Sequence, residues 1–327
     1  MAMLEVESLT VDYRAKRGTI RAVDNVSFSL EKGETLGLVG ESGSGKSTLG
    51  LSIVRLVPHP GVIVGGQIWL DGRDMLKLPE QEMRAIRGKK VAYVFQDPMT
   101  SLNPVKKIGE HFIELIRTHE PDVGDKEAVE RAKGALQDVG ILPERVNDYP
   151  HQFSGGMRQR IMIALAIGLN PDLVIADEPT TALDVIVQAK ILDLLRSLRD
   201  RYGMALMLVT HDLSIVLERC DKVIVMYAGN VVEYAGATEL HRNPNHPYTQ
   251  GLLQSIPNIE LEEQTLKAIG GSPPSLLDLP SGCPFWPRCS SAGTKCSLDR
   301  PSMVEVAPGH FVRCFAEAIS HEHDRKS

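Results

Sequence analysis

Two stretches near the start, Leu4-Glu5-Val6 and Ala22-Val23-Asp24-Asn25-Val26-Ser27-Phe28, alternate apolar and polar positions with a period close to two, the pattern of half-buried β-strands. Thr35 to Val39 differs, because its apolar run leads straight into a glycine-rich turn and reads as a buried strand. Beyond the turn, a helix beginning near Lys46 places Leu49, Ile53, Leu56 and Val57 along one face. Val91 to Phe95 is a further strand. Residues 104–150 change character, rich in charge and helix formers and broken at Pro121-Asp122-Val123-Gly124, which predicts a mostly helical insertion. From Leu173 onward, strands (Leu173 to Ala176, Leu206 to Thr210) alternate with a helix (Ala189 to Arg199), and that alternation implies a parallel sheet. Residues 243–282 are dense in proline and glycine and read as a linker with short helices. Residues 283–315 read as a small appendage with too little apolar content for a core of its own.

Composition narrows the classes. The 327 residues, 43% hydrophobic and 24% charged, are those of an ordinary globular chain with room for two domains. A net charge of −6 argues against a broad basic surface, so no nucleic-acid partner is expected. Met1 to Arg14 lacks the cationic and apolar regions of a signal peptide, and Ile161 to Leu169 and Ala205 to Thr210 are too short to span a bilayer. Any membrane role is then expected to come through partner subunits, with the cytoplasm as default. Cys220 stands alone and suits a small buried residue. Cys283, Cys289, Cys296 and Cys314 crowd the C-terminal segment, where a reducing compartment favours metal binding over disulfides.

The decisive segment is Gly40-Glu41-Ser42-Gly43-Ser44-Gly45-Lys46-Ser47-Thr48, which fits G-x-x-x-x-G-K-[ST] between a predicted strand and a predicted helix. Glycines let backbone N–H groups close around phosphate oxygens, and the helix N-terminus adds partial positive charge. Lys46 supplies a cation for the β- and γ-phosphates, and Ser47 a ligand for Mg²⁺. Leu173-Val174-Ile175-Ala176-Asp177-Glu178 is an apolar strand ending in two acids, which emerge at the edge where α/β proteins bind ligands. Asp177 is a candidate Mg²⁺ ligand and Glu178 a candidate general base. Without the phosphate loop, both acids would read as solvated surface charge.

At Phe153-Ser154-Gly155-Gly156-Met157-Arg158-Gln159-Arg160 the sequence resembles the signature motif of the ATP-binding cassette (ABC) ATPases, and the resemblance covers residues 1–240. Serine and two glycines at a helix start are themselves an anion-binding nest. The resemblance implies an α/β P-loop NTPase cassette: a RecA-like parallel-sheet core, an antiparallel β subdomain and a helical subdomain over about 104–165. In that family the Ser154, Gly155 and Gly156 nest would bind the γ-phosphate of ATP held by a second ABC ATPase subunit, a homologous chain or another copy. Tyr13 resembles the aromatic that stacks on adenine, although it also suits the core side of an edge strand. Gln96 resembles the glutamine that senses Mg²⁺ and the attacking water, Ala182-Leu183-Asp184 the loop that crosses the dimer interface, and His211 the histidine that contacts the γ-phosphate. His119 and His151 read as surface residues. With Lys46, Asp177, Glu178 and His211 all present, a competent ATPase is expected.

Phe153 and Met157 stand where the general pattern has leucine and glutamine, but Ser154-Gly155-Gly156-Met157-Arg158-Gln159-Arg160 resembles the peptide-importer branch. Two segments resemble the same branch: Gln96-Asp97-Pro98-Met99-Thr100-Ser101-Leu102-Asn103-Pro104 and Asn243-Pro244-Asn245-His246-Pro247-Tyr248-Thr249. The branch implies uptake of dipeptides or oligopeptides, with nickel or oligosaccharide as alternatives. Its partners would be two transmembrane permease subunits at the cytoplasmic face of the inner membrane and an external solute-binding protein. Residues 241–327 then form a C-terminal extension, whose Cys283-x5-Cys289-x6-Cys296-x17-Cys314 spacing can ligate a [4Fe–4S] cluster or zinc; resemblance favours the cluster. Arg288 and Lys295 stand close enough in sequence to balance thiolate charge. A soluble ABC ATPase of DNA repair or translation is the rival from another class. A further alternative makes the tail a redox or metal sensor acting on the cassette.

Overall fold

The computed structural model describes residues 2–16, 18–97, 101–181, 183–256 and 269–315. Pro98, Met99, Thr100 and Ala182, which belong to two of the motifs above, lie outside them. In chain order the elements are β1 (Leu4–Ala15), β2 (Gly18–Leu30), β3 (Thr35–Val39), α1 (Lys46–Ile53), β4 (Gly61–Leu70), β5 (Arg73–Asp74), α2 (Glu80–Ile86), β6 (Val91–Val94), α3 (Ile108–His119), α4 (Asp125–Asp138), α5 (Gly155–Ile167), β7 (Leu173–Asp177), α6 (Val185–Tyr202), β8 (Ala205–Thr210), α7 (Leu213–Arg219), β9 (Lys222–Tyr227), β10 (Asn230–Gly236), α8 (Ala237–Arg242), α9 (Pro247–Gln254), α10 (Thr294–Leu298), β11 (Val304–Ala307) and β12 (His310–Val312). Among the described residues no helix is long and apolar enough to cross a membrane.

The chain divides into two compact units. The first, a helical unit, comprises Met1–Leu4, Leu30–Thr35 and Trp69–Val209; the second, a loop unit, comprises Glu5–Ser29, Leu36–Ile68 and Thr210–Ser327.

In the helical unit, β6, β7 and β8 pair in parallel, Val91 opposite Leu173 and Leu173 opposite Ala205. Every residue of β7 is buried, as expected for a strand covered on both faces. The predicted insertion is present: α3 ends at His119, α4 begins at Asp125, and the break falls at residues 121–124. Ile116, Ala128 and Leu169 form a small core there, flanked by Ile113, Leu115 and Val123. α6 runs longer than predicted. Asp184 caps its start by accepting from the Val187 N–H at 2.9 Å, and Gly203 ends it in the left-handed region.

In the loop unit, one sheet has the order β2-β1-β4 and another the order β11-β12-β10-β9-β3. β3 lies parallel to β9, but β10, β12 and β11 continue the second sheet antiparallel. The fold is therefore α/β with mixed rather than purely parallel pairing. Ala228 and Gly229, with φ of 47° and 80°, make the two-residue turn between β9 and β10. Helix α1 stops before the predicted Leu56 and Val57. Arg55 takes φ 52°, and the N–H groups of Arg55 and Leu56 bond back to Ser52 and Leu51 at 3.0 and 2.8 Å, which closes the helix and leaves Leu56 exposed.

The tail is bound into this unit. Glu233 of β10 pairs with Val312 of β12, and Tyr234 with Phe311. Phe285 is buried with its ring 5.2 Å from that of Tyr227 and 5.4 Å from that of Tyr248. A segment with too little apolar content for its own core borrows one from its neighbours.

Candidate functional site

In the loop unit, the turn after β3 has the shape its sequence requires. Gly45 has φ 101°, and a Cβ there would lie 2.1 Å from the Ala22 carbonyl oxygen, so only glycine fits. Lys46 is buried, and its Nζ donates to the carbonyl oxygens of Gly40 at 2.8 Å and Glu41 at 3.0 Å. The ammonium is thus folded over its own loop, within reach of any anion the backbone N–H groups bind. Ser44 is buried and accepts from the Gly229 N–H through its carbonyl oxygen at 2.9 Å, while Ser42 and Gly43 stay exposed. Ser47 and Thr48 open α1. The Tyr13 hydroxyl lies 3.4 Å from Thr48 Oγ1, so the candidate adenine-stacking ring flanks the first turn of that helix. A cavity of about 350 Å³ opens beside the loop, lined by Glu41 to Ser44 on one side and Pro273 to Leu277 on another. His211, just past β8, is exposed, and the next residue, Asp212, caps α7 by accepting from the Ser214 N–H at 2.9 Å.

In the helical unit, β7 delivers Asp177 and Glu178 as predicted. Asp177 is buried and accepts from the Tyr93 hydroxyl at 2.7 Å. Burial, and then the neighbouring Asp177 charge, push the Tyr93 hydroxyl far above the usual tyrosine range, so it remains a fixed donor. Glu178 sits at φ 43°, a left-handed conformation that costs on the order of 1 kcal/mol or more in a residue with a Cβ. Its N–H bonds the Val209 carbonyl at 2.8 Å, and its Oε2 accepts from Gln96 Nε2 at 3.0 Å and Thr181 Oγ1 at 2.8 Å. Gln96 and Glu178, 82 residues apart, are brought together as the motif reading requires. Tyr93 and Thr181 were not singled out from sequence. The signal was there in Tyr93, which stands three residues before Gln96 at the end of a strand parallel to β7.

The second glycine nest belongs to the same unit. Ser154 caps α5 by accepting from the Met157 N–H at 3.4 Å, and Gly155 and Gly156 form the first turn. A Cβ on Gly156 would lie 2.8 Å from Val187 Cγ1, so α6 passes too close for a side chain. Arg145 lies 3.9 Å from the centre of the Phe153 ring, donates to Asp148 Oδ2 at 2.8 Å and holds the Gln152 carbonyl at 3.0 Å, which fixes the approach to the nest.

The comparisons with known proteins fit these two sets of residues. The family model for ABC transporters matches residues 23–181, and that for the oligopeptide/dipeptide transporter C-terminal region matches residues 232–296. The oligopeptide transport ATP-binding protein OppD of Escherichia coli (strain K12) is 46% identical over 96% of this chain and 93% of its own length. This chain belongs to the ABC transporter family of ATP-binding proteins. Other ABC relatives include the oligopeptide transport ATP-binding protein AppD of Bacillus subtilis (strain 168), 49% identical over 96% of both chains, and the dipeptide transport ATP-binding protein DppD of E. coli (strain K12), 44% identical over 96% of both. Among solved ABC structures, the dimeric post-hydrolysis state of the cassette MJ0796 bound to ADP and Pi is similar with a TM-score of 0.65 and 30% identity, over 72% of this chain and 99% of that one. ATP binding and hydrolysis are the activity of the family.

Among the described residues, the four tail cysteines form no disulfide. Among the described residues, no three His, Cys, Asp or Glu side chains are drawn together at metal-ligating spacing. Burial, with the neighbouring Cys296 and Cys289, pushes the Cys283 thiol up; burial and Cys296 do the same to Cys289. The Trp286 N–H donates to the Cys283 carbonyl at 3.1 Å, and the Cys283 N–H donates to the Cys296 carbonyl at 2.8 Å.

Proposed function

We propose that this chain is the ATP-hydrolysing subunit of an importer of dipeptides or oligopeptides, docked at the cytoplasmic face of the inner membrane under two permease subunits served by an external solute-binding protein. One observation carries the reading. A phosphate loop with its lysine already folded over it occurs in a chain that aligns almost end to end with peptide-transport ATP-binding proteins. The backbone N–H groups of the loop and Lys46 bind the phosphates, with Tyr13 against the adenine. Mg²⁺, when bound, neutralises charge on the β- and γ-phosphates. Ser47, Gln96 and Asp177 offer the hard oxygen donors that suit it, and Tyr93 keeps the Asp177 carboxylate aimed. Glu178 polarises the attacking water, held by Gln96 and Thr181, and His211 meets the γ-phosphate. The exposed nest of Ser154, Gly155 and Gly156 suits a γ-phosphate carried by a second cassette, with Asp184 at the same contact, so hydrolysis and pairing are coupled.

In the tail, Cys283, Cys289, Cys296 and Cys314 would hold a [4Fe–4S] cluster, with zinc as the alternative. Four cysteines within residues 283–314, with the Cys283 N–H bonded to the Cys296 carbonyl at 2.8 Å, support the assignment. Iron and acid-labile sulfide in the purified chain, lost together on Cys289→Ser, are the expected result.

The central test is Glu178→Gln. Turnover falls by about 10³-fold, while Mg-ATP still binds and drives pairing, seen as an ATP-dependent shift in size-exclusion chromatography. Normal turnover in that variant removes the general-base assignment. Stimulation of the assembled complex by peptide-loaded binding protein, and not by nickel or oligosaccharide, identifies the cargo.

A further inference from the structure

We infer that Arg288, on the turn between Cys283 and Cys289, is a positioning residue for the phosphate loop: its guanidinium cancels and orients the Glu41 carboxylate within that loop. The inference rests on the reading that residues 40–48 bind ATP.

Glu41 is the second residue of the loop. Arg288 Nη1 lies 2.7 Å from Glu41 Oε2 and Nη2 lies 3.0 Å from Oε1, a two-pronged ion pair spanning 247 positions of sequence. The Arg288 side chain is only 6% exposed. Two of its other donors are also used, Nε on the Gly270 carbonyl at 2.8 Å and Nη1 on the Tyr227 hydroxyl at 3.2 Å. The backbone of Glu41 is held as well. Its N–H donates to the hydroxyl of the fully buried Tyr248 at 2.9 Å, and its carbonyl accepts from Lys46 Nζ at 3.0 Å. Phe285, one turn before Arg288, packs against both tyrosines. Every polar group of Glu41 is thus tied either to Lys46 or to the C-terminal segments.

A carboxylate in a loop built for a polyanion opposes its ligand. A guanidinium that grips both carboxylate oxygens removes that opposition and fixes the loop, which a monodentate ammonium does less well. Removing Arg288 leaves the negative charge beside the phosphates uncompensated and poorly solvated. The defect should therefore appear in nucleotide affinity and should depend on Glu41 being charged.

The test uses the full chain, with Mg-ATP affinity measured by displacement of a fluorescent ATP analogue and KM and kcat by steady-state hydrolysis. Arg288→Gln raises the Kd and KM for Mg-ATP by about tenfold with a smaller effect on kcat, and Arg288→Lys by about threefold. In a Glu41→Gln background, Arg288→Gln changes the Kd by roughly twofold or less. Should Arg288→Gln fail to fold, the Arg288→Lys comparison in the two backgrounds gives the answer. Equal affinity with and without Arg288, or the same loss in both backgrounds, overturns the inference and leaves Arg288 a staple for the tail. Lys46→Ala is measured in parallel: unaltered ATP binding there would mean instead that the ATP reading of the loop has failed.

Discussion

Two anion nests on one chain are built in opposite ways. The nest at Gly40 to Thr48 is enclosed: its lysine is buried, and Glu41 and Ser44 are bound to Tyr248, Arg288 and Gly229 from far along the sequence. The nest at Ser154 to Gly156 has exposed residues and is held by near neighbours, with Met157 on Ser154 and Arg145 over Phe153. A site that binds ligand within one chain is best fixed beforehand, because loop ordering is then not charged against affinity. A site that completes itself on another subunit must stay open. On the proposed reading this difference divides the labour: the first nest captures the nucleotide and the second reads it out.

The largest test of that division is Lys46→Ala. Loss of the buried ammonium should reduce hydrolysis by about 10³-fold and weaken Mg-ATP binding by the single chain, measured by equilibrium titration.

A second test addresses how the enclosed nest is anchored. Glu233, fully buried on β10, accepts from the N–H groups of Asn245 and His246 at 2.7 and 3.1 Å and lies 2.8 Å from His310 Nε2 on β12. His246 Nδ1 in turn accepts from the Tyr248 N–H at 3.0 Å, which leads to Glu41. Burial lowers the His246 pKa to about 4 despite Glu233, so its contribution to stability is present above the unfolded value near 6.5 and is lost as pH falls towards 4. Burial also opposes charge on His310, but the hydrogen bond and charge of Glu233, with Glu239 3.7 Å from the other ring nitrogen, outweigh it and raise the pKa. That contribution is complete below about 6.5 and is lost as pH rises through the raised value. Thermal stability should therefore peak near pH 6.5 and fall by on the order of 3 kcal/mol on the acid side. Glu233→Gln should flatten the alkaline limb, and calorimetry across pH reads both.

The smallest effect is expected at the open nest. Ser154→Ala removes a helix cap worth about 1 kcal/mol, visible as a few degrees in Tm, and leaves nucleotide affinity of the single chain close to wild type. ATP-dependent pairing is the property it should impair.

Much of this was legible in sequence wherever the chemistry is local. The phosphate loop, the Asp177-Glu178 pair and the Ser154 nest each follow from a short string of residues whose types the chemistry demands. What escaped depends on distant pairing or on one unusual backbone angle. Apolar spacing carried α1 through Leu56 and Val57, but Arg55 in the left-handed region ends it first. Residues 283–315 read as an appendage because no local pattern reveals that Phe285 enters an aromatic cluster or that His310 pairs with a buried Glu233. The roles of Tyr93 and Thr181 are not legible in sequence because a hydroxyl becomes a positioning group only once a fold aims it.

The Arg288–Glu41 tie also has a meaning in time. A ribosome delivers Glu41 247 residues before Arg288, so the phosphate loop emerges long before its counter-ion exists. Until Arg288 is made, the nascent chain carries an unneutralised acid where, on the proposed reading, ATP would sit. Fragments from premature termination before Arg288 would then compete poorly for nucleotide, and so for a place in the transporter.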